Sequence, residues 1–281
     1  SYGYDVHSFL ASENEAGAIK QVEQIKQAIN AGYRNIVIPP IDYKKINEDG
    51  VLEANQNCNI ICYDRMIMDN DAIDFYTTCD PSKIGEMQAQ YLLNKIGNKE
   101  MTIEYFAGPK TDKNAATYFD SAFKLLGKSG LLSVPSGKKT YDEVALKEWS
   151  SADAYDAMTA RLKDTETIPD LILAPNDNVA DGIIQAIDKW AEDHRITLDT
   201  YPIIPGQDME LQAKENIKNG KQAMTINKEY QDLAETTAMI VSCLISGKSV
   251  TTSQQFDNGK ILVPAKYTNF TLITSYNVDK Y

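Results

Sequence analysis

The sequence predicts an α/β fold of two similar halves, each built from βαβ units around a parallel sheet. Three observations predict it. Short apolar strands alternate with amphipathic helical stretches along nearly the whole chain. The strands are continuously apolar, as strands buried on both faces must be. The rhythm runs through the chain twice with no low-complexity linker, so the halves share several chain crossings.

Each element follows in order. "DVHSFLA" (5–11) reads as a strand, and residues 15–31 carry Ile19, Val22, Ile25 and Ile29 at helical spacing, closed by Gly32. "NIVIPP" (35–40) is a short strand ended by prolines. A helix is expected around 50–56, then strands at 59–63 and 73–78. "DPSKIGEMQAQYLLNKIG" (80–97) has an Asp cap, a proline in its first turn and a glycine stop. The second half offers strand 101–108, helix 113–130, the short strand "LLSVPS", helix 151–164, strand 170–177 and helix 179–190. Strand 201–208, helix "ELQAKENIKNG", strand "KQAMTIN", helix 230–248 and an extended tail complete the chain.

The 281 residues suffice for one large or two ordinary domains. No apolar run approaches the roughly 18 residues of a membrane span. A net charge of −12, with no basic cluster, makes the chain a poor match for nucleic acid or an anionic membrane. No signal-peptide pattern is visible before "YGYDVHSFLA". Cys58 and Cys62 lie about 13 Å apart if both are on one strand, too far to bridge. With Cys79 and Cys243 they read as buried free thiols, a Cys62–Cys79 bridge between neighbouring strands being the alternative. No CxxC pair exists and His7 and His194 are isolated, so neither a zinc site nor a disulfide framework is expected.

In open parallel sheets, ligands sit beyond the carboxyl ends of the strands. The residues there are Asp64-Arg65, then Lys110, Asp112 and Asn114, then Asn176-Asp177, Gln207-Asp208 and Lys228; Trp149 sits just before a helix. Taken singly, each has a plain reading. Asp64-Arg65 fits a solvated ion pair, "PND" and "GQD" fit turns with helix caps, and Trp149 fits core packing. Their joint placement at strand ends in both halves points elsewhere. A sugar hydroxyl both donates and accepts; Asp accepts, Arg and Lys donate, and Asn does both. An indole covers the apolar face of a pyranose. Catalysis is not expected: no P-loop, no GxGxxG after a strand and no GxSxG elbow is present, and no His/carboxylate cluster suits a catalytic metal. A glycosidase pair could come from Asp64, Asp112, Asp177 and Asp208 only at a separation that sequence does not define.

Four stretches carry a family resemblance: "YDRMIMDNDAIDFYTTCDPSKIGEMQAQYL" (63–92), "PNDNVADGIIQAI" (175–187), "PGQDMELQAKENIKNGKQAMTINK" (205–228) and "LVPA" (262–265). The chain resembles the type I periplasmic sugar-binding proteins, in the xylose-binding and multiple-sugar-binding branch. The resemblance implies two Rossmann-like lobes with parallel sheets, joined by a three-segment hinge: residues 1–107 with 229–261, and 108–228 with 262–281. By motif it implies Asp64, Arg65, Asp112, Asn114, Trp149, Asn176, Asp208 and Lys228 as sugar ligands, with no catalytic residue, cofactor or metal. It further implies an extracytoplasmic protein that closes over D-xylose or a related aldopyranose and presents it to an ABC permease. The alternative is a sugar sensor that signals to a membrane histidine kinase. One departure stands out. Family members begin with a strand and helix ahead of the segment matching "GYDVHSFLASENE". The expectations are a segment absent from this chain, a strand swapped or donated from another copy, a different protein in the slot, or altered packing of the N-terminal half.

Overall fold

The computed structural model describes residues 3–53 and 57–281. They divide into two compact units: Ser1–Asp80 with Thr111–Asn114 and Glu229–Asn269, and Pro81–Lys110 with Ala115–Lys228 and Phe270–Tyr281.

The first unit is organised by a sheet in the order β1-β2-β3-β9-β8. Its strands are β1 (Asn35–Ile38), β2 (Asn59–Tyr63), β3 (Phe75–Cys79), β8 (Gln254–Asp257) and β9 (Leu262–Thr268). β1, β2, β3 and β9 run parallel, and β8 returns antiparallel along β9. Both faces of the central strands are covered, which is why they read as unbroken apolar runs. Ile60, Cys62 and Tyr76 pack with Val22 and Ile25 of α1 (Glu15–Asn30) and Ile46 of α2 (Tyr43–Asp49). The alternate residues Ile61 and Phe75 pack with Ile240 of α9 (Tyr230–Ile245). Asn14 caps α1 by accepting from the Gly17 N–H, and Glu15 places a carboxylate at the positive end of the helix. All four cysteines are free thiols, and burial pushes the Cys62 thiol up to about 12, which makes it inert.

The second unit holds a parallel sheet in the order β5-β4-β6 and an antiparallel β7–β10 pair. These strands are β4 (Met101–Tyr105), β5 (Leu132–Ser133), β6 (Leu171–Leu173), β7 (Met224–Lys228) and β10 (Phe270–Thr274). Ile103, Tyr105, Leu171 and Leu173 pack with α3 (Pro81–Ile96) and α4 (Lys113–Leu126). Phe106, Ile172 and Ala174 pack with α6 (Ser151–Thr165) and α7 (Asp177–His194). α5 (Tyr141–Val144), ahead of α6, and α8 (Leu211–Lys218), after α7, are short, and a 3-10 turn covers Val278–Lys280.

Several expectations need correction. Residues 5–11 form no strand; they take part in no ladder, and Val6 and Leu10 are each 80% exposed. Apolar β-forming residues make a strand only when a neighbouring strand accepts their hydrogen bonds. The helix expected at 50–56 lies earlier, as α2, ended by Gly50 in a left-handed conformation; 51–53 are turn and 54–56 fall outside the described residues. Residues 201–208 contribute only an isolated bridge, Leu171 to Ile203, because Pro202 and Pro205 have no N–H to donate. The unit boundaries also differ from 107 and 261. β9 pairs with β3 from Tyr76–Ala265 to Cys79–Thr268, which keeps 262–269 in the first unit. The chain leaves that unit after Asp80, where α3 begins.

One polar pair sits inside the second unit. Glu104 and Arg161 are 2% and 5% exposed, and Arg161 Nη1 meets Glu104 Oε2 at 3.2 Å. Arg161 also donates to the Tyr105 carbonyl and lies over the Phe106 ring at 3.7 Å. Glu104 accepts from the Ser136 N–H and hydroxyl at 2.8 and 2.7 Å. Burial pulls the Arg161 guanidinium down to about 10 against the opposing charge of Glu104. Arg161→Ala leaves that carboxylate buried and uncompensated, so urea unfolding should show a loss of about 3–5 kcal/mol. Replacing both residues by apolar side chains should recover most of it.

Candidate functional site

In the first unit, the polar residues gather at the carboxyl end of β2. Asp64 has a left-handed φ of 62°. Its N–H donates to the Thr77 carbonyl, which ties it to β3. Its carbonyl oxygen accepts from Tyr76 Oη (2.9 Å), Thr78 Oγ1 (2.8 Å) and Asn114 Nδ2 (2.7 Å). The backbone of Asp64 is therefore the pin of this cluster. Beside it, Arg65 Nε meets Asp112 Oδ2 at 2.9 Å, and Arg65 Nη2 meets Glu13 Oε2 at 3.0 Å. Asp112 precedes α4, and its Oδ1 accepts from the Asn114 N–H at 2.9 Å. Burial works to lower the Arg65 pKa, but the charges of Asp112, Glu13 and Asp64 outweigh it and hold the guanidinium well above its ordinary value.

The second unit carries its own cluster. Asn176 caps α7, accepting from the Val179 N–H at 3.0 Å, and its Nδ2 donates to Asp208 Oδ2 at 3.3 Å. Lys228, at the end of β7, reaches Asp208 Oδ1 at 2.9 Å and is 6% exposed. Trp149 is half-buried against the cluster around Phe106 and lies over Gly108. A Cβ at position 108 would stand 2.1 Å from Trp149 Cη2, so the indole occupies its place only because residue 108 is glycine.

Thus Asp64, Arg65, Asp112 and Asn114 come together in one unit, and Asn176, Asp208 and Lys228 in the other. Trp149 belongs to the second unit, where it packs against the Phe106 cluster and Gly108. Lys110 pairs with Asp142 on an exposed surface, as a solvated lysine does. Two participants, Glu13 and Tyr76, were not selected from sequence, and Asp177 stood among the strand-end residues but not among the ligands the resemblance implied. Glu13 sits in the loop just after 5–11, where the strand-end rule could have found it. Tyr76 lies mid-strand and reads as core. Asp177, 2% exposed, accepts from Thr225, Gln222 and the Glu210 N–H. Among the described residues no group of carboxylates, histidines or cysteines could hold a metal, and no helix is long and apolar enough to cross a membrane.

A doubly wound unit with polar residues at strand ends, repeated in two units, is the architecture of type I solute-binding proteins. The chain belongs to the periplasmic binding protein domain family, whose pattern matches residues 1–249. That family binds solutes and is not enzymatic. The D-xylose-binding periplasmic protein of Escherichia coli is 32% identical, over 100% of this chain and 79% of that protein. The multiple sugar-binding periplasmic receptor ChvE of Rhizobium radiobacter is 31% identical, over 92% and 75%. Among solved structures, an ABC transporter solute binding protein of Clostridium phytofermentans with bound β-D-glucose has a TM-score of 0.85 at 28% identity, covering 94% of this chain and 83% of that one.

Two predictions follow from this geometry. Arg65→Ala strands the buried Asp112 carboxylate, so chemical denaturation should show a loss of about 3 kcal/mol. Burial, then the charge of Asp208, pushes the Asp177 carboxyl up to about 8 from 3.8. The folded state then holds a proton that the unfolded chain releases, so this group's stabilising contribution is full below pH about 4 and is lost as pH rises towards 8. Unfolding free energies measured across that window should slope downward for the native protein and more weakly for Asp177→Asn.

Proposed function

We propose that the chain binds one aldopyranose, D-xylose or a close relative such as D-glucose, and presents it to an ABC permease outside the cytoplasmic membrane. The observation that carries this is the pair of largely buried charged couples at strand ends, Arg65–Asp112 and Lys228–Asp208. A guanidinium or ammonium donates to ring hydroxyls, a carboxylate accepts from them, and the planar amides of Asn114 and Asn176 orient both kinds of bond. Trp149 supplies the apolar platform for the C–H face of the ring. In this reading the protein closes over the sugar by hinge bending. Rejection of a wrong sugar comes from leaving one of these buried groups unpaired, about 1–3 kcal/mol for each mismatch.

The relatives support this reading: two are named for xylose or multiple sugars, and a solved neighbour named as an ABC transporter solute binding protein holds glucose. Titration calorimetry with D-xylose, D-glucose, D-galactose, L-arabinose and D-ribose tests it. Saturable heat with D-xylose or D-glucose is expected, and silence with all five overturns the proposal. Lys228→Met should weaken binding at least tenfold, about 1.4 kcal/mol. Gly108→Ala should displace the indole, changing tryptophan fluorescence and weakening the same sugar. Membrane pull-down should recover permease components; recovery of a histidine kinase instead overturns the transport half.

A further inference from the structure

Asp208 stands in an unusual stretch of backbone. Asp208 and Met209 have φ of 101° and 59°, a left-handed pair that non-glycine residues rarely adopt. Something must hold the 206–210 loop in this shape. Lys228 and Asn176 meet Asp208 at its carboxylate oxygens.

Asp177 grips that loop on both sides. Its N–H donates to the Gln207 carbonyl at 3.0 Å, and its Oδ2 accepts from the Glu210 N–H at 3.0 Å. The strained pair therefore lies between two hydrogen bonds to a single residue. The carboxylate is itself fastened to β7 and the segment before it. Oδ2 accepts from Thr225 Oγ1 at 2.8 Å, and Oδ1 accepts from Gln222 Nε2 at 2.8 Å. The Asp208 N–H completes the link to β7 by donating to the Ile226 carbonyl at 2.9 Å. The packing leaves no slack: a Cβ at Gly206 would stand 2.0 Å from Asp177 Oδ1. Gln88 and Gln207 donate to the carbonyls of Gly206 and Pro175 and close the rest of the loop.

We propose that Asp177 is the positioning residue of the second-unit cluster: it fixes the left-handed Asp208–Met209 turn and so aims the Asp208 carboxylate at Lys228 and at a sugar hydroxyl. This rests on the reading that Asp208 and Lys228 hold sugar. Asp177 itself is 2% exposed and its carboxylate is taken up by Thr225, Gln222 and the Glu210 N–H, so it acts through Asp208. Above pH about 8, where Asp177 is ionised and both oxygens accept, asparagine offers one oxygen in place of two and turns an N–H₂ towards a donor. The turn is then released while the residues that meet the sugar stay intact.

The test is a double-mutant cycle read by calorimetry with D-xylose and D-glucose on the alkaline side of the Asp177 titration, at pH about 9. Asp177→Asn should weaken binding roughly tenfold, within the range by which residues sharing one network couple. In an Asp208→Asn background the same change should have little further effect, because the group it positions is gone. A purely structural role predicts equal losses in both backgrounds, and that result overturns the proposal. Thermal melts establish that each variant is folded. If Asp177→Asn does not fold, Thr225→Val, which removes one donor to the same carboxylate, takes its place in the cycle with the same expectation. Weaker binding by Lys228→Met together with unchanged binding by Asp177→Asn overturns the positioning role alone. No binding by the native protein overturns the sugar reading and this proposal with it.

Discussion

Arg65 and Lys228 are cations held almost out of water, at the ends of strands whose other residues are apolar. A buried cation is tolerated only when a carboxylate and further hydrogen bonds replace its hydration. Asp112 does this for Arg65 at 2.9 Å, and Asp208 does it for Lys228 at 2.9 Å. That requirement shapes what surrounds each pair. It calls for a carboxylate at a helix start or in a tight loop, and for a backbone rigid enough to keep it there. In the first unit the rigidity comes from the Asp64 carbonyl, which collects donors from Tyr76, Thr78 and Asn114. In the second it comes from Asp177 and the loop it grips.

The sheets make this arrangement available. Parallel strands covered on both faces force polar residues out of the strand interiors and into the loops beyond them. Helices starting in those loops offer unpaired N–H groups, which Asn176 and Asp112 satisfy with side-chain oxygens while their remaining atoms face the charged partner. Capping and ligand-type chemistry thus share the same residues. Glu104 and Arg161 show the same physics inside the second unit: a strand residue of β4 is charged, and the fold surrounds it with a guanidinium, a serine and an aromatic ring.

Most elements were legible because apolar periodicity and end signals agree. Asn14 and Gly32 bracket α1, and "DPSK" opens α3. The failures share one cause. Segments 5–11 and 201–208 have strand-like composition, yet a strand exists only if a neighbour completes its ladder. Pairing partners lie far away in the chain, and proline donors are missing in the second case. The unit boundaries failed for the same reason, since β9 belongs with β3 by pairing across nearly two hundred residues.

By itself the sequence determined the alternation of strands and helices, the acidic and span-free character of the chain, and the residue types placed just past each strand. Those depend on local periodicity and on chemistry carried by single side chains. Only the tertiary structure decided that Arg65 pairs with Asp112 rather than with its neighbour Asp64, whose backbone carbonyl is the part that holds the cluster. Only it brought Glu13 to Arg65 and set Asp177 behind Asp208. Partner choice among buried charges depends on desolvation and on distances across the fold, and neither is encoded in any one stretch of residues.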